Sequence, residues 1–153
     1  MITPASCMKK YWFAVALTLA QPAVHAEEKS DPLDTFRLQT QFQTLMCRME
    51  THTAILEVQL GKLDDAVPPM RICIKKAKAE LKNIYPAALK AVAKKPAAAK
   101  LLKDYYASSL TALEGVAPNS SETKQGYAVR QDAADAKNRE IWNRFEIEAG
   151  IQD

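Results

Sequence analysis

Histidine, glycine and long apolar runs are all scarce in this chain. Its 153 residues include two histidines and four glycines. A histidine-based zinc site needs several ligands at short spacing, and His25 and His52 stand far apart. No G-x-S-x-G, phosphate-binding glycine loop or H-E-x-x-H occurs, which removes the familiar nucleophile elbows, nucleotide cradles and zinc proteases. The longest apolar run is "YWFAVALTLA", Tyr11 to Ala20. That is well short of the roughly 20 residues that cross a bilayer. No metal, no cofactor and no membrane-spanning segment is expected in the mature chain.

The same run has a different use. Lys9 and Lys10 precede it and "AVHA" follows it, the order of a secretory signal with cleavage after Ala26. A signal beginning at Met8 has the more ordinary form, which leaves Cys7 outside the mature chain. Residues 27–153 are then expected as a single periplasmic or secreted helical domain. They keep Cys47 and Cys73, an even pair that an oxidising compartment joins as a disulfide. Two separately buried thiols are the alternative.

What remains is rich in Ala, Leu, Lys, Glu and Gln, a set that forms helices. Asp31 before Pro32, with Asp34 following, marks the start of a first helix. Leu38, Phe42, Leu45, Met49, Leu56, Leu60 and Leu63 keep a helical period along it. Phe36, Cys47, Ala54, Ile55 and Val58 form a second stripe on nearly the opposite side, so this helix is expected to pack on both sides at the centre of the fold. Alternation around Leu56, Val58 and Leu60, and again at Met70, Ile72 and Ile74, leaves a short hairpin as the rival.

A second helix is expected from Pro69, since proline is tolerated in a first turn. Its inner face is Met70, Cys73, Ile74, Ala77, Leu81, Ile84 and Ala88, with a kink or break at Pro86 and at Pro96. A third helix from Pro96 packs through Leu102, Tyr105, Tyr106, Ser109 and Leu113 and stops at Gly115. Asn119 and Glu122 have the spacing of a capping pair for a fourth helix, which packs through Tyr127, Ala134, Ile141, Trp142, Phe145 and Ala149. The fold class is all-α, a small bundle of about four helices with one disulfide.

The cysteines constrain the layout. Their midpoint falls at Leu60, but the turn signal "DDAVPP" comes later. A turn centred there would put the two cysteines out of register by roughly 15–20 Å at ~1.5 Å rise per residue. A first helix ending by Gly61, with residues 62–68 running back in extended form, restores the register.

Charge is unevenly placed. Residues 27–67 carry four basic and eight acidic groups (net −4), residues 71–103 ten basic and one acidic (net +9), and residues 104–153 five basic and nine acidic (net −4). Lys75, Lys78, Lys82, Lys90, Lys94, Lys95, Lys100 and Lys103 are the candidate partner-binding residues, for a protein or an anionic envelope component. Internal balance between a basic arm and two acidic segments is the plainer explanation. Arg71 is the one arginine in this third and no nucleic-acid motif accompanies the lysines, so nucleic acid is not the expected partner.

Catalytic candidates are few. His52 reads as a partly buried structural residue. Glu50, Glu57, Asp64 and Asp65 read as solvated helical carboxylates, and an enzyme would need two of them brought together in a cleft. Tyr85, Tyr105, Tyr106 and Trp142 read as core, with an aromatic binding patch as the alternative. "NSSETKQGYAVRQ" reads as a capped helix start, with an anion on its N–H groups as the alternative. The expected function is a non-enzymatic exported interaction protein, of inhibitor, immunity or assembly-accessory type. The alternatives are a charge-driven binder of an anionic surface or polyanion, and a carboxylate enzyme.

Overall fold

Asp31 opens the first helix as its residue type and position require. Its Oδ1 accepts from Leu33 N–H at 2.8 Å, which serves one of the donors a helix start leaves unpaired. The computed structural model describes residues 31–60, 63–119 and 122–151, without the side chains of residues 58 and 63–67. It contains four helices: α1 Pro32–Gln59, α2 Leu63–Ala91, α3 Pro96–Glu114 and α4 Lys124–Ala149. No strand occurs among the described residues, so the hairpin alternative is set aside. Residues 1–26, expected as an export signal, lie outside the described residues.

The start of α2 differs from expectation. Residues 63–68 are helical and α2 begins at Leu63, so there is neither an extended run-back nor a start at Pro69. Asp64 and Asp65 fall in the first turn, where the helix dipole favours acids. Pro68 and Pro69 lie inside the helix and are exposed, so the carbonyls that lose N–H partners there can turn to water. The chain therefore reverses between Gln59 and Leu63, close to the midpoint of the cysteines. Cys47 and Cys73 form a disulfide with Cα atoms 5.5 Å apart, within bonding reach.

Pro86 does not interrupt α2, which continues to Ala91. Pro86 and Lys82 both face solvent, and the Lys82 carbonyl that loses its donor is open to hydration. The break comes at residues 92–95, and Pro96 then opens α3 at a position where its missing N–H costs nothing. Fourth comes α4, which starts with Thr123 as N-cap, its hydroxyl accepting from Gly126 N–H at 3.1 Å. Asn119 N–H does reach Glu122 Oε2 at 3.2 Å, yet the helix begins beyond that pair. Gly150 ends α4 in the left-handed region, φ 66°, with Ile151 N–H returning to Glu146 O at 3.0 Å.

Two helical hairpins, α1/α2 and α3/α4, make the bundle. One core, at the α2–α3 turn end, joins Leu33, Phe36, Ala88, Val92, Leu102, Tyr105, Trp142 and Phe145. A second surrounds the disulfide, where Cys47 meets Ala77, Leu81, Leu113 and Val116.

The largest departure concerns α1, whose expected main stripe does not face the core. Leu38, Phe42, Leu45, Met49, Leu56 and Leu60 are exposed, and the buried face is Leu33, Phe36, Thr40, Thr44, Cys47, Thr51 and Ala54. Threonine is admitted there because each hydroxyl donates to the carbonyl one turn back: Thr40 to Phe36 at 2.7 Å, Thr44 to Thr40 at 2.9 Å and Thr51 to Cys47 at 2.9 Å. The hydroxyl is satisfied within the helix and its methyl packs. Leu63 belongs to α2, and its side chain and that of Val58 lie outside the described residues.

Candidate functional site

The lysines lie on the outer sides of α2 and α3 and on the turn between them. Lys75, Lys82, Lys90, Lys94, Lys95, Lys100 and Lys103 are exposed and Lys78 is half-buried. Lys78 pairs with Glu114 on α3. Lys95 donates to the Ala149 carbonyl at the end of α4, a favourable place for a cation. Among the described residues, Lys75, Lys82, Lys90, Lys94, Lys100 and Lys103 form no ion pair.

Contacts between acids and bases are made elsewhere, mostly by arginine. Arg37 on α1 reaches Glu146 on α4 at 2.7 Å, and Arg48 holds Asp135 through two bonds of 2.7 and 2.8 Å. His52 meets the Tyr127 ring edge-on, centroids 6.1 Å apart. Numbers rise along α1 as they fall along α4, so the two helices are antiparallel. Their backbones do not pack, and these long side chains bridge the space.

That space is a groove of about 370 Å³, lined by Arg37, Thr40, Thr44, Arg48, Asn138 and Trp142 among others. Tyr105 also lines it, and burial pushes its phenol up to about 12, against the opposing pull of Arg37. The phenol is therefore neutral at any physiological pH. Asn138 Oδ1 is buried without a hydrogen-bond partner. The groove can hold a small polar group, but it offers no general base, since Asp135 is committed to Arg48. A shallower groove of about 590 Å³ between α3 and α4 carries Lys100, Lys137 and Arg144 beside Asp104 and Glu148, which extends the basic surface onto α4.

His52 is exposed, not partly buried as its place beside the supposed core stripe implied. Glu57 and Glu50 are half-buried on α1, and the side chains of Asp64 and Asp65 lie outside the described residues. No group of three His, Cys, Asp or Glu able to hold a metal occurs among the described residues, and no described helix is long and apolar enough to cross a membrane. Tyr105 and Trp142 are core and meet at 4.9 Å, and Tyr85 and Tyr106, partly buried, pack against that core and stack at 4.2 Å.

The polar junction before α4 is occupied by its own acid. Glu122 binds Arg130 through Nε at 2.8 Å and Nη2 at 2.6 Å, and Arg130 also covers the Gly115 and Ala117 carbonyls. The Arg130 guanidinium holds the Glu122 carboxyl down to about 2 from 4.5. A depressed carboxyl stabilises the fold above its unfolded pKa, and that contribution disappears as pH falls from about 4.5 to about 2. Glu122→Gln is expected to flatten the acid limb of stability in this window, read by chemical denaturation at stepped pH.

Comparison with protein-family models, curated proteins and solved structures finds no match for this chain.

Proposed function

We propose that this chain is a non-enzymatic, exported interaction protein that holds an anionic partner, an acidic protein or envelope polymer, against the lysines of α2 and α3. The observation that carries this is the set of six exposed lysines that form no ion pair among the described residues, Lys75, Lys82, Lys90, Lys94, Lys100 and Lys103. Internal balance through contacts would pair them with the acids of α1 and α4. Of the α4 acids, Glu146 and Asp135 are instead met by Arg37 and Arg48 of α1, and Glu122, just before α4, by Arg130. A face of one sign raises the local concentration of an opposite one and fixes orientation on encounter. The disulfide is in keeping with an oxidising compartment.

The test changes these six lysines to glutamine and leaves Lys78 and Lys95, which have structural partners, in place. Retention of partners from the native envelope fraction is compared at low and high salt. The parent protein is expected to hold an acidic partner on the order of tenfold more tightly than the variant, with the difference shrinking as salt screens it. Equal retention by both proteins at low salt would count against the lysine face.

A further inference from the structure

The outer face of α1 is apolar along almost its whole length. Leu38, Phe42, Leu45, Met46, Met49, Leu56 and Leu60 are exposed, from 37 % at Met46 to 74 % at Leu60. From these fractions the seven side chains present roughly 700 Å² of surface, above the ~300–600 Å² of the largest patch on a typical monomer. This face lies opposite the buried one and is left exposed by the described residues.

Spacing identifies its form. Leu38, Phe42, Leu45, Met49, His52 and Leu56 are separated by four, three, four, three and four residues, the heptad seam by which two helices interlock. His52, exposed but with its ring edge-on to Tyr127 of α4, stands at the one step that lacks an apolar group. The series of gaps reads the same from either end. A second α1 laid antiparallel therefore matches it layer by layer, with Leu38 against Leu56, Phe42 against His52 and Leu45 against Met49, each pair occurring twice about a two-fold axis.

Charge narrows the occupant further. Positions flanking the seam are Gln39, Gln41, Met46, Arg48, Thr53 and Ile55, and the single charge, Arg48, is bound to Asp135 of its own chain. A face without free charge has nothing to attract a charged partner, and meets itself without like-charge repulsion. The roughly 700 Å² per copy approaches the ~800 Å² each partner contributes to a standard stable interface. Met46 and Met49, next to the axis, are flexible enough to fill the gaps of an exposed seam.

We propose that the protein is a homodimer, joined by antiparallel pairing of the α1 outer faces about an axis near Cys47. The pairing leaves the lysine surfaces of α2 and α3 outside the interface and presents two of them together, which multiplies the strength of binding to an extended anionic partner.

Sedimentation of the full oxidised protein tests this without any anionic partner, so its outcome is independent of the lysine proposal. Twice the chain mass is expected, reverting to one chain mass in Leu45→Glu with helical content and disulfide unchanged. Leu38→Cys and Leu56→Cys chains, mixed under mild oxidation, are expected to join to each other and not to themselves. Self-joining of either single variant overturns the antiparallel arrangement. A single chain mass at every concentration overturns self-pairing, and a photoreactive group at position 42 that then captures a different protein assigns the face to that protein.

Discussion

Phe36→Ala lowers the free energy of unfolding by about 4 kcal/mol, whereas Phe42→Ala, the same deletion six positions later on the same helix, changes the stability of the single chain by less than about 0.5 kcal/mol. Phe36 has no exposed surface. Its ring is met by Tyr85 at 5.8 Å, Tyr105 at 6.0 Å and Tyr106 at 6.2 Å, so truncation removes both the transferred apolar area and the contacts of three rings that cannot all move inward. Phe42 keeps more than half its surface in water and loses little. Urea denaturation followed by far-UV circular dichroism, at a dilution where chains are separate, measures both. Equal costs would mean that the two faces of α1 have been exchanged.

Removing the disulfide has the next largest effect. Cys47 and Cys73 are separated by 26 residues, and closing a loop of that length restricts the unfolded chain by about 3 kcal/mol. For a domain of this size that corresponds to a fall in melting temperature of roughly 10 °C. Cys47 is fully buried among Ala77, Leu81, Leu113 and Val116, so a Cys47→Ser, Cys73→Ser chain also places a hydroxyl in an apolar setting. Reduction of the parent protein isolates the cross-link from this second effect. Calorimetry with and without reductant reads the difference, and an unchanged melting temperature would mean that helix packing alone closes the hairpin.

The class of fold and the number of helices were legible because composition and capping pointed the same way. Asp31–Pro32, Pro96 and Gly150 mark helix ends in the sequence and again in the structure. The disulfide was legible from the even number of cysteines left after the expected signal, and its midpoint located the reversal near Leu60. Pro68 and Pro69 were the misleading signal: they imitate a loop, but their exposed flank lets a helix carry them. The orientation of α1 was hidden for a different reason. Leucine, phenylalanine and methionine outrank threonine on any scale of hydrophobicity, yet Thr40, Thr44 and Thr51 bind their hydroxyls to the preceding turn and enter the interior as small apolar groups.

The candidate lysines could be named from the sequence, but their lack of partners could not. Pairing depends on which helices become neighbours, and Asp135 and Glu146 of α4 found arginines on α1. The groove between α1 and α4 had no signal at all. It exists because extended side chains hold those helices at arm's length, and pattern along a single helix does not encode the distance to the next.

The two long edges of the bundle are consequently unlike. On one side α2 and α3 share buried aliphatic and aromatic groups, and parting them exposes apolar surface to water. On the other, α1 and α4 contribute Phe36, Trp142 and Phe145 to the core at one end and are fastened along the groove by Arg37–Glu146 and Arg48–Asp135, like a book with a sewn spine and a clasp. Salt screens the partly exposed clasp and leaves the spine untouched, so high ionic strength is expected to loosen the α1–α4 edge along the groove before the α2–α3 edge.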